Sequence, residues 1–196
     1  QDAERGGFKP IEPLLHDVLD NWGSRKKGTL TGVPTGYFDL DNILSGLQKS
    51  DLIICAGRPS MGKTALALSI ARNAALEYGH RVGVFSLEMS NTQLVERLIT
   101  SEARVDSHLV RTGRLPKNEW KRLSQAAGPL SEANIFIDDS AGLHVMELRA
   151  KARQLKSEHD VDLIIVDYIQ LLHAGGKIES RQQEISFISR SLKALA

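Results

Sequence analysis

One glycine-rich segment, residues 57–64, limits the possible folds of this chain more than any other: Gly57-Arg-Pro-Ser-Met-Gly-Lys63-Thr64. It matches every fixed position of the phosphate-binding loop pattern G-x-x-x-x-G-K-S/T. The glycines let the chain turn with positive φ and bring backbone N–H groups close to an anion. Lys63 supplies a mobile charge for β- and γ-phosphates, and the Thr64 hydroxyl is suited to ligating Mg²⁺. The pattern therefore predicts a site for Mg²⁺ and a nucleoside triphosphate such as ATP.

The residues on either side of the loop predict a strand before it and a helix after it. The apolar run at 52–56 is typical of a buried strand, and residues 64–78 follow a helical pattern with Gly79 as a C-terminal cap. The first turn of that helix would add its own partial positive charge to the phosphate site. We therefore expect the following residues to contact the nucleotide: Gly57, Arg58, Pro59, Ser60, Met61, Gly62, Lys63, Thr64 and Ala65.

Composition is that of a soluble globular protein, because 41% of the residues are hydrophobic and 25% are charged. A formal net charge of +1 gives no global attraction to nucleic acid or to an anionic membrane, so any nucleic-acid contact has to be a local patch. No apolar run approaches the length of a membrane span, and no signal peptide is visible. The single cysteine, Cys55, is expected to be a buried free thiol, which favours a reducing compartment such as the cytoplasm.

Strand patterns alternate with helix patterns through most of the chain. We predict strands at 81–87, 134–138 and 162–167, and helices at 37–44, 90–103, 117–127, 144–158 and 181–196. Ser90 and Gln93 have the spacing of a capping box at the start of one helix. The alternation predicts an α/β domain with a mostly parallel sheet covered by helices on both faces.

Residues 1–28 differ from the rest of the chain. Residues 1–10 are polar and aperiodic, which predicts a tail, whereas residues 11–22 carry apolar side chains at helical spacing. Glycine and charged residues break the pattern at 23–28. The amphipathic helix either packs on its own domain or docks on a neighbouring subunit, and its residues alone leave both open. We assign the main domain to residues 29–196, and expect it to be incomplete at the C-terminal end because its last helix has no cap.

A phosphate-binding loop needs an acid at the end of an apolar strand to hold Mg²⁺ and its waters. Asp167 fits this role, because four apolar residues precede it. The next residue is Tyr168 rather than a glutamate, so a base that orients water has to come from elsewhere. Glu88, just beyond the second predicted strand, is the candidate base, and the alternative is a solvated loop acid. Asp138 and Asp139 are expected to form turns or helix caps.

Other polar residues carry weaker signals. Gln170 is a candidate sensor of the γ-phosphate or a contact for a nucleic-acid strand. Arg58 and Arg181 are candidates for a phosphate contact, although a lone arginine is more often a solvated surface charge. His144 and His173 are expected at the surface or in caps, because the histidine spacing lacks the pattern of a zinc site.

Several segments together resemble the ATPase domain of the replicative DNA helicases of the DnaB type. The likeness extends from the helix at residue 11 to the last residue, and the set is far more specific than the loop alone. The matching segments are Thr31-Gly-Val-Pro-Thr-Gly36 with Leu40-Asp41, residues 57–64, Phe85-Ser-Leu-Glu-Met-Ser90, Val166-Asp-Tyr-Ile-Gln-Leu171, and Glu179-Ser-Arg-Gln-Gln-Glu-Ile185 with Ser189-Arg-Ser-Leu-Lys193.

The resemblance implies a RecA-like fold and a homohexameric ring that hydrolyses ATP with Mg²⁺ at its subunit interfaces while moving 5′–3′ along single-stranded DNA. It implies that Lys63, Thr64 and the loop amides hold phosphate and metal, that Glu88 is the catalytic base, and that Asp167 is the metal-side acid, acting through water. The helix at residues 11–22 would be the linker helix that packs on the adjacent subunit. Primase and a helicase loader are the implied partners, and the bacterial cytoplasm near the nucleoid is the implied location.

Some parts of the family pattern have no counterpart among these residues. They are the N-terminal domain, a further core strand with a polar sensor, an arginine finger supplied in trans, and most of the DNA-binding loop. In RecA-like sheets that further strand lies between the phosphate-loop strand and the Asp167 strand, so we expect a gap between the two. Two other interpretations stay open: a recombination or signalling ATPase of the RadA or KaiC type, and a nucleotide-binding docking platform without turnover.

Overall fold

The computed structural model describes Phe8, Pro10–Gly23, Leu30–Gly175 and Ser180–Ala196. Most of the predicted tail at residues 1–10, the predicted break at 24–28 and the matched Glu179 lie outside the described residues. The chain divides into two units, Gln1–Leu30 and Thr31–Ala196.

Helices and strands alternate in the second unit, as predicted, and the described residues of the first unit contain one helix. In chain order the elements are α1 (Ile11–Gly23), α2 (Phe38–Leu44), α3 (Lys63–Leu76), β1 (Val82–Ser86), α4 (Asn91–Ala103), α5 (Ser107–Arg111), α6 (Lys117–Glu132), β2 (Ile135–Asp138), α7 (Val145–His159), β3 (Leu163–Asp167), a 3₁₀ turn (Ile169–Leu171) and α8 (Arg181–Leu195).

The three strands form one parallel sheet in the order β2–β1–β3. Val82 at the start of β1 pairs with Ile135 of β2 on one side and with Leu163 of β3 on the other. All three strands therefore end at the same edge, where polar residues follow the apolar runs. The predicted parallel α/β architecture is confirmed.

Side chains along a strand point alternately to the two faces of the sheet, so both faces are apolar and need to be covered. Two helices cover each face. On one face, Val82 and Val84 pack with buried residues of α3 and α4. On the other face, Phe85 packs with buried residues of α7 and α8, including Leu148 and Ile188. Each such aliphatic side chain contributes about 1.5–3 kcal/mol by leaving water, so these two layers hold the sheet and the helix ends in place.

The entry to the second unit is tied to α3 by a buried acid. Asp41 is 6% exposed and accepts hydrogen bonds from the backbone N–H and hydroxyl of Thr35, both at 2.8 Å, and from Gly36. Asn73 of α3 donates to the carbonyl of Thr35 at 3.0 Å. Gly36 has φ +77°, and a Cβ there would lie 2.4 Å from the Asn73 amide nitrogen, so only glycine fits. These hydrogen bonds fix the position of α3, the helix that begins at the end of the phosphate-binding loop.

The predicted buried strand at residues 52–56 is wrong. No strand pairing involves this segment among the described residues, and Ile53 and Ile54 are 52% and 63% exposed. Cys55 is likewise exposed rather than buried. An apolar run becomes a strand only where a neighbouring strand satisfies its N–H and C=O groups, and β3 is the last strand of the three-stranded sheet. Because residues 52–56 form no strand in the described part of the chain, the expected gap between that strand and the Asp167 strand stays a prediction.

Helix ends differ from the predictions where packing outweighs local signals. α6 continues through Pro129 to Glu132 instead of stopping near residue 127. Leu130 packs against the core beside α3 and α4, and this burial offsets the backbone hydrogen bond that proline cannot make. α3 ends at Leu76, two residues before the predicted end, and Gly79 takes φ +71° in the turn that follows. α5 and the 3₁₀ turn are not predicted, because both are too short to show a period.

α1 forms where the apolar spacing predicts a helix and runs one residue further, to Gly23. Its apolar side chains are largely exposed; Ile11, Leu15, Leu19 and Trp22 all expose more than half of their surface. Among the described residues no helix is both long enough and apolar enough to span a bilayer.

Candidate nucleotide site

The phosphate-binding loop leads directly into α3, whose first residue is Lys63. Gly62 is the N-cap residue, has φ +87° and provides no side-chain cap. The first N–H groups of a helix have no partner within the helix, and here no capping side chain satisfies them. Together with the helix dipole they make the start of α3 suited to binding an anion.

The two glycines of the motif, Gly57 and Gly62, differ in backbone conformation. Gly62 adopts the positive φ expected of it, whereas the expectation for Gly57 is wrong because the left-handed residue in that part of the loop is Ser60, with φ +64°. A Cβ at Gly57 would make only ordinary van der Waals contact, 3.4 Å from Cγ of Lys63, so neither φ nor lack of space requires glycine at this position. Residues 57–62 and Ala65 are exposed, while Lys63 and Thr64 are half-buried, so the loop is accessible to a ligand.

Thr64 and Asp167 meet at the carboxyl edge of the sheet. The Thr64 hydroxyl donates to Oδ2 of Asp167 at 2.7 Å, across 103 residues of sequence. This contact brings together the two residues expected on sequence grounds to face the metal. A hydroxyl and a carboxylate are hard oxygen ligands of the kind that Mg²⁺ prefers alongside water and phosphate oxygens.

Lys63 lies over the aromatic ring of Tyr168, with Nζ 5.4 Å from the ring centroid. This distance is within the range of a cation–π attraction, which contributes about 0.5–1 kcal/mol at an exposed site. This contact is not predicted from the sequence, where Tyr168 stands in place of a glutamate after Asp167. The sequence signal that could have indicated the contact is an aromatic residue directly after the acid that ends the strand.

Glu88 lies in the turn that follows β1, the strand paired with the one that ends at Asp167. Ser86 pairs in register with Asp167, and the N–H of Leu87 donates to the Asp167 carbonyl at 2.8 Å. Glu88 is the first exposed residue after this buried stretch. Among the described residues its carboxylate has no hydrogen bond or ion pair. An acid so placed is accessible to a water molecule, which agrees with the role of a base, although a solvated loop acid has the same exposure.

The structure confirms turn and cap roles for the other strand-end acids. Asp138 accepts from the N–H of Ser140 and from Nζ of Lys151, both at 2.9 Å, and Asp139 accepts from the N–H of Asn91 at 2.8 Å, at the start of α4. Burial alone would raise the pKa of Asp138, but its hydrogen bonds from Lys151 and Ser140 outweigh that effect and lower the pKa. Asp138 therefore stays charged and is committed to local structure.

Among the described residues, none of the weaker candidates forms a side-chain hydrogen bond or ion pair with Thr64 or Asp167. Arg181 forms an ion pair with Glu184 and donates to the carbonyl of Gln170, so it holds the 3₁₀ turn against α8. Gln170 itself is exposed, and so is Arg58. His144 and His173 are exposed, as expected, and their rings are 5.8 Å apart.

The arrangement fits a magnesium–triphosphate ligand better than a metal held by protein alone. The described residues contain no group of three or more His, Cys, Asp or Glu side chains that could hold a metal ion. The site offers instead the N–H groups at the start of α3, one lysine, one hydroxyl and one carboxylate. Such a donor set is complete only when phosphate oxygens and water supply the other ligands of the metal.

The chain is similar to known helicases along its whole length. The family described as "DnaB-like helicase C terminal domain" matches residues 32–196. Replicative DNA helicase DnaB of Geobacillus stearothermophilus is 47% identical over 100% of this chain and 44% of its own length. Replicative DNA helicase DnaC of Bacillus subtilis (strain 168) is 44% identical over the same shares. The chain thus spans less than half the length of these curated relatives.

Solved structures give the same result for the fold. The structure of a DnaB-like replicative helicase, described with its interactions with primase, superposes with a TM-score of 0.89 and 35% identity over 95% of this chain and 46% of that one. A second solved structure, described as an ATPase domain, superposes with a TM-score of 0.90 and 34% identity over 96% of this chain and 67% of that one. Both neighbours agree with the expected RecA-like architecture.

Proposed function

The chain belongs to the DnaB-like helicase C-terminal domain family, and on this basis we propose that it is the ATPase domain of a bacterial replicative DNA helicase. It binds Mg²⁺-ATP at the start of α3, and hydrolysis drives 5′–3′ movement on single-stranded DNA and separation of the duplex. The protein works in the cytoplasm at the nucleoid, with primase and a helicase loader as partners.

One observation supports this proposal more than any other: the 2.7 Å contact between Thr64 and Asp167. It joins the end of the phosphate-binding loop to the end of a sheet strand, which is the geometry a phosphoryl-transfer site requires. Glu88 follows the neighbouring strand at the same edge. A loop that matched the motif by chance would have no reason to meet a strand-end acid at its Ser/Thr position.

Hydrolysis needs phosphate to be held, water to be oriented and developing charge to be offset. Loop amides and Lys63 bind the β- and γ-phosphates, and the side chain of Glu88 accepts a hydrogen bond from the attacking water. Thr64 and Asp167 are the residues that would hold Mg²⁺, which would supply positive charge to offset that of the phosphates. An arginine from a neighbouring subunit completes the charge compensation, so turnover depends on the ring interface. Gln170, an exposed residue three positions after Asp167, is the proposed sensor of the γ-phosphate.

We propose that α1 holds the ring together by docking on the neighbouring copy. Its apolar side chains are exposed, and removing an aliphatic side chain from water stabilises a complex by about 1.5–3 kcal/mol. The helix carries three acidic side chains and no lysine or arginine: Glu12, Asp17 and Asp20. Its receptor should therefore be apolar with a basic border.

A surface with this chemistry lies between α4, α5 and α6. An open groove there is lined mainly by apolar side chains, with Trp120 57% exposed at its edge: Ile99, Val110, Trp120, Leu123 and Ala127. Residues 104–122, which include α5 and the start of α6, contain six lysines or arginines and only two acids, and the one charged side chain that lines the groove itself is Glu96. Apolar contact with complementary charge is the mode by which an amphipathic helix binds a groove. We assign this groove, on the adjacent copy, as the receptor for α1.

The role of Glu88 is tested by Glu88→Gln in the whole protein. Glutamine keeps the size of the side chain but cannot accept a proton, so ATP turnover and unwinding of a forked DNA should fall by at least about 10²-fold. Affinity for a fluorescent ATP analogue should stay within about twofold, because the phosphate ligands are intact. Turnover equal to that of the wild type would reject Glu88 as the base.

The same assays separate the proposal from its alternatives. Strand separation on a forked substrate distinguishes a helicase from a recombination or signalling ATPase of the same fold. A whole protein that binds ATP but never turns it over, with DNA present, would instead be a docking platform. Glu132→Gln, which makes the same substitution at the end of α6, is the matched control and should leave both turnover and unwinding unchanged.

A further inference from the structure

The turn that carries Glu88 is closed by a buried serine. Ser86, the last residue of β1, is 2% exposed. Its hydroxyl donates to the carbonyl of Met89 at 2.7 Å and accepts from the N–H of Met89 at 3.3 Å. One side chain thus holds both backbone polar groups of the residue that follows Glu88.

The residue before Glu88 is held as well. The N–H of Leu87 donates to the carbonyl of Asp167 at 2.8 Å, so this position is bound to the strand that ends in the metal-side acid. Beyond the turn, Ser90 caps α4 with Gln93 in a capping box, and Asp139 accepts from Asn91. The backbone on both sides of Glu88 is therefore anchored within two residues.

The carboxylate of Glu88, in contrast, has no hydrogen-bond partner among the residues that the structure describes, and it is exposed. Nothing in the described surroundings orients the side chain directly. Its position relative to a bound γ-phosphate is set by the backbone of residues 87–89. Ser86 is the only described side chain that bonds to that backbone.

We infer that Ser86 is a positioning residue for ATP hydrolysis: its buried hydroxyl closes the turn that aims Glu88 at the attacking water. The inference rests on the proposed role of Glu88 and deepens it. A misplacement of about 1 Å at a reacting group can cost on the order of 10²-fold in rate. Loss of the Ser86–Met89 hydrogen bonds should thus lower kcat and leave ATP binding alone, since both bonds of the Ser86 hydroxyl are to Met89 and neither involves the phosphate-binding loop.

Ser86→Ala in the whole protein tests this inference. We expect kcat for ATP to fall by roughly 10-fold to 10²-fold, with KM and the affinity for a fluorescent ATP analogue within about twofold of wild type. Ser86→Thr keeps the hydroxyl and should restore most of the rate. Ser86→Cys keeps the volume but is a weak hydrogen-bonding group, so it should resemble Ser86→Ala and remains informative if the threonine does not fit.

A matched control removes a similar hydroxyl elsewhere. Ser131 donates to the carbonyl of Gly128 at 2.6 Å, three residues away, at the end of α6. Ser131→Ala should leave kcat unchanged. If it lowered kcat as much as Ser86→Ala does, the effect would be a general loss of stability and the inference would be overturned.

A double substitution separates this inference from the proposed function. In the Glu88→Gln background, Ser86→Ala should cause no further loss, because the group that it positions is already inactive. An equal loss in both backgrounds would show that Ser86 acts by another route. If Glu88→Gln alone left turnover intact, the proposed base itself would be wrong, whatever Ser86 does.

Discussion

At the scale of single residues, Asp167 links two parts of the site that are far apart in sequence. Its carboxylate accepts from the Thr64 hydroxyl, and its backbone carbonyl accepts from Leu87, one residue before Glu88. The proposed metal-side acid is therefore bonded both to the end of the phosphate-binding loop and to the segment that carries the proposed base.

Asp167→Asn should weaken ATP binding only when Mg²⁺ is present. The asparagine oxygen can still accept from Thr64, so the local fold is kept, but the negative charge that attracts the ion is lost. We expect the gain in nucleotide affinity caused by Mg²⁺ to shrink by about tenfold or more, which equals ~1.4 kcal/mol. Titration of a fluorescent ATP analogue with and without Mg²⁺ measures it.

The matched control for this substitution lies just before the other end of the same strand. Asp162 accepts from the N–H of Arg81 at 3.0 Å, far along β3 from the nucleotide site. Asp162→Asn should therefore leave the Mg²⁺ dependence of binding unchanged. An undiminished Mg²⁺ effect in Asp167→Asn would contradict the assignment of Asp167 to the metal.

At the scale of elements, α7 is one of the two helices that cover one face of the sheet. Val145, Leu148 and Ala152 lie along its buried stripe and pack with Phe85 of β1 and Ile188 of α8. Phe85 precedes Ser86, so the same core supports the strand end from which the Glu88 turn begins. Packing on this face contributes to both stability and the placement of the site.

Leu148→Ala should lower the free energy of unfolding by about 2–5 kcal/mol, because it leaves a cavity at a site with no solvent exposure. Met146→Ala, two residues earlier on the same helix, is the control; its side chain is 55% exposed and the cost should stay below about 0.5 kcal/mol. Denaturant unfolding followed by circular dichroism gives both values. Similar losses for the two variants would mean that α7 does not pack as described.

At the scale of the whole molecule, α1 and the groove between α4, α5 and α6 suggest how copies assemble. An exposed apolar stripe on an acidic helix is stable in water only at a cost, and a partner surface removes that cost. The proposed site also needs an arginine from another subunit. Assembly and ATP turnover should thus be lost together.

Leu15→Asp should reduce ring formation, because it places a charge in the apolar stripe of α1. We expect sedimentation of the whole protein to shift from the assembled species toward smaller ones, with a parallel fall in ATP turnover. His16→Ala changes an exposed neighbour outside the stripe and should assemble normally. A Leu15→Asp protein that assembles as well as the wild type would remove α1 from the interface.

Much of the local structure could be predicted because its causes are local. The capping box of Ser90 and Gln93 starts α4 where the spacing predicts it, and the left-handed Gly62 precedes α3 as the loop motif requires. The strands β1, β2 and β3 follow their apolar runs to within two residues. These features depend on a few neighbouring residues and on side-chain periodicity, which a single sequence contains.

Other features depend on residues distant in the chain, and they were missed or mistaken. The run at 52–56 has the composition of a buried strand, yet a strand exists only beside another strand. The hydrogen bonds between Ser86 and Met89 and the placement of Lys63 over Tyr168 depend on how β1, β3 and the phosphate-binding loop come together. The periodicity of apolar residues along a sequence does not indicate contacts of this kind between distant segments.

Residue order was thus enough to predict the anion-binding loop, the acids that end the strands, the parallel α/β architecture and, through its motifs, the family. The three-dimensional fold was needed to see that Thr64 touches Asp167, that Ser86 closes the turn of Glu88, and that residues 52–56 pair with no strand while 53–56 stay exposed. The difference lies in the range of the forces involved. Turn geometry and capping act within a few residues, whereas strand pairing, burial and the convergence of a site act between segments that only folding brings together.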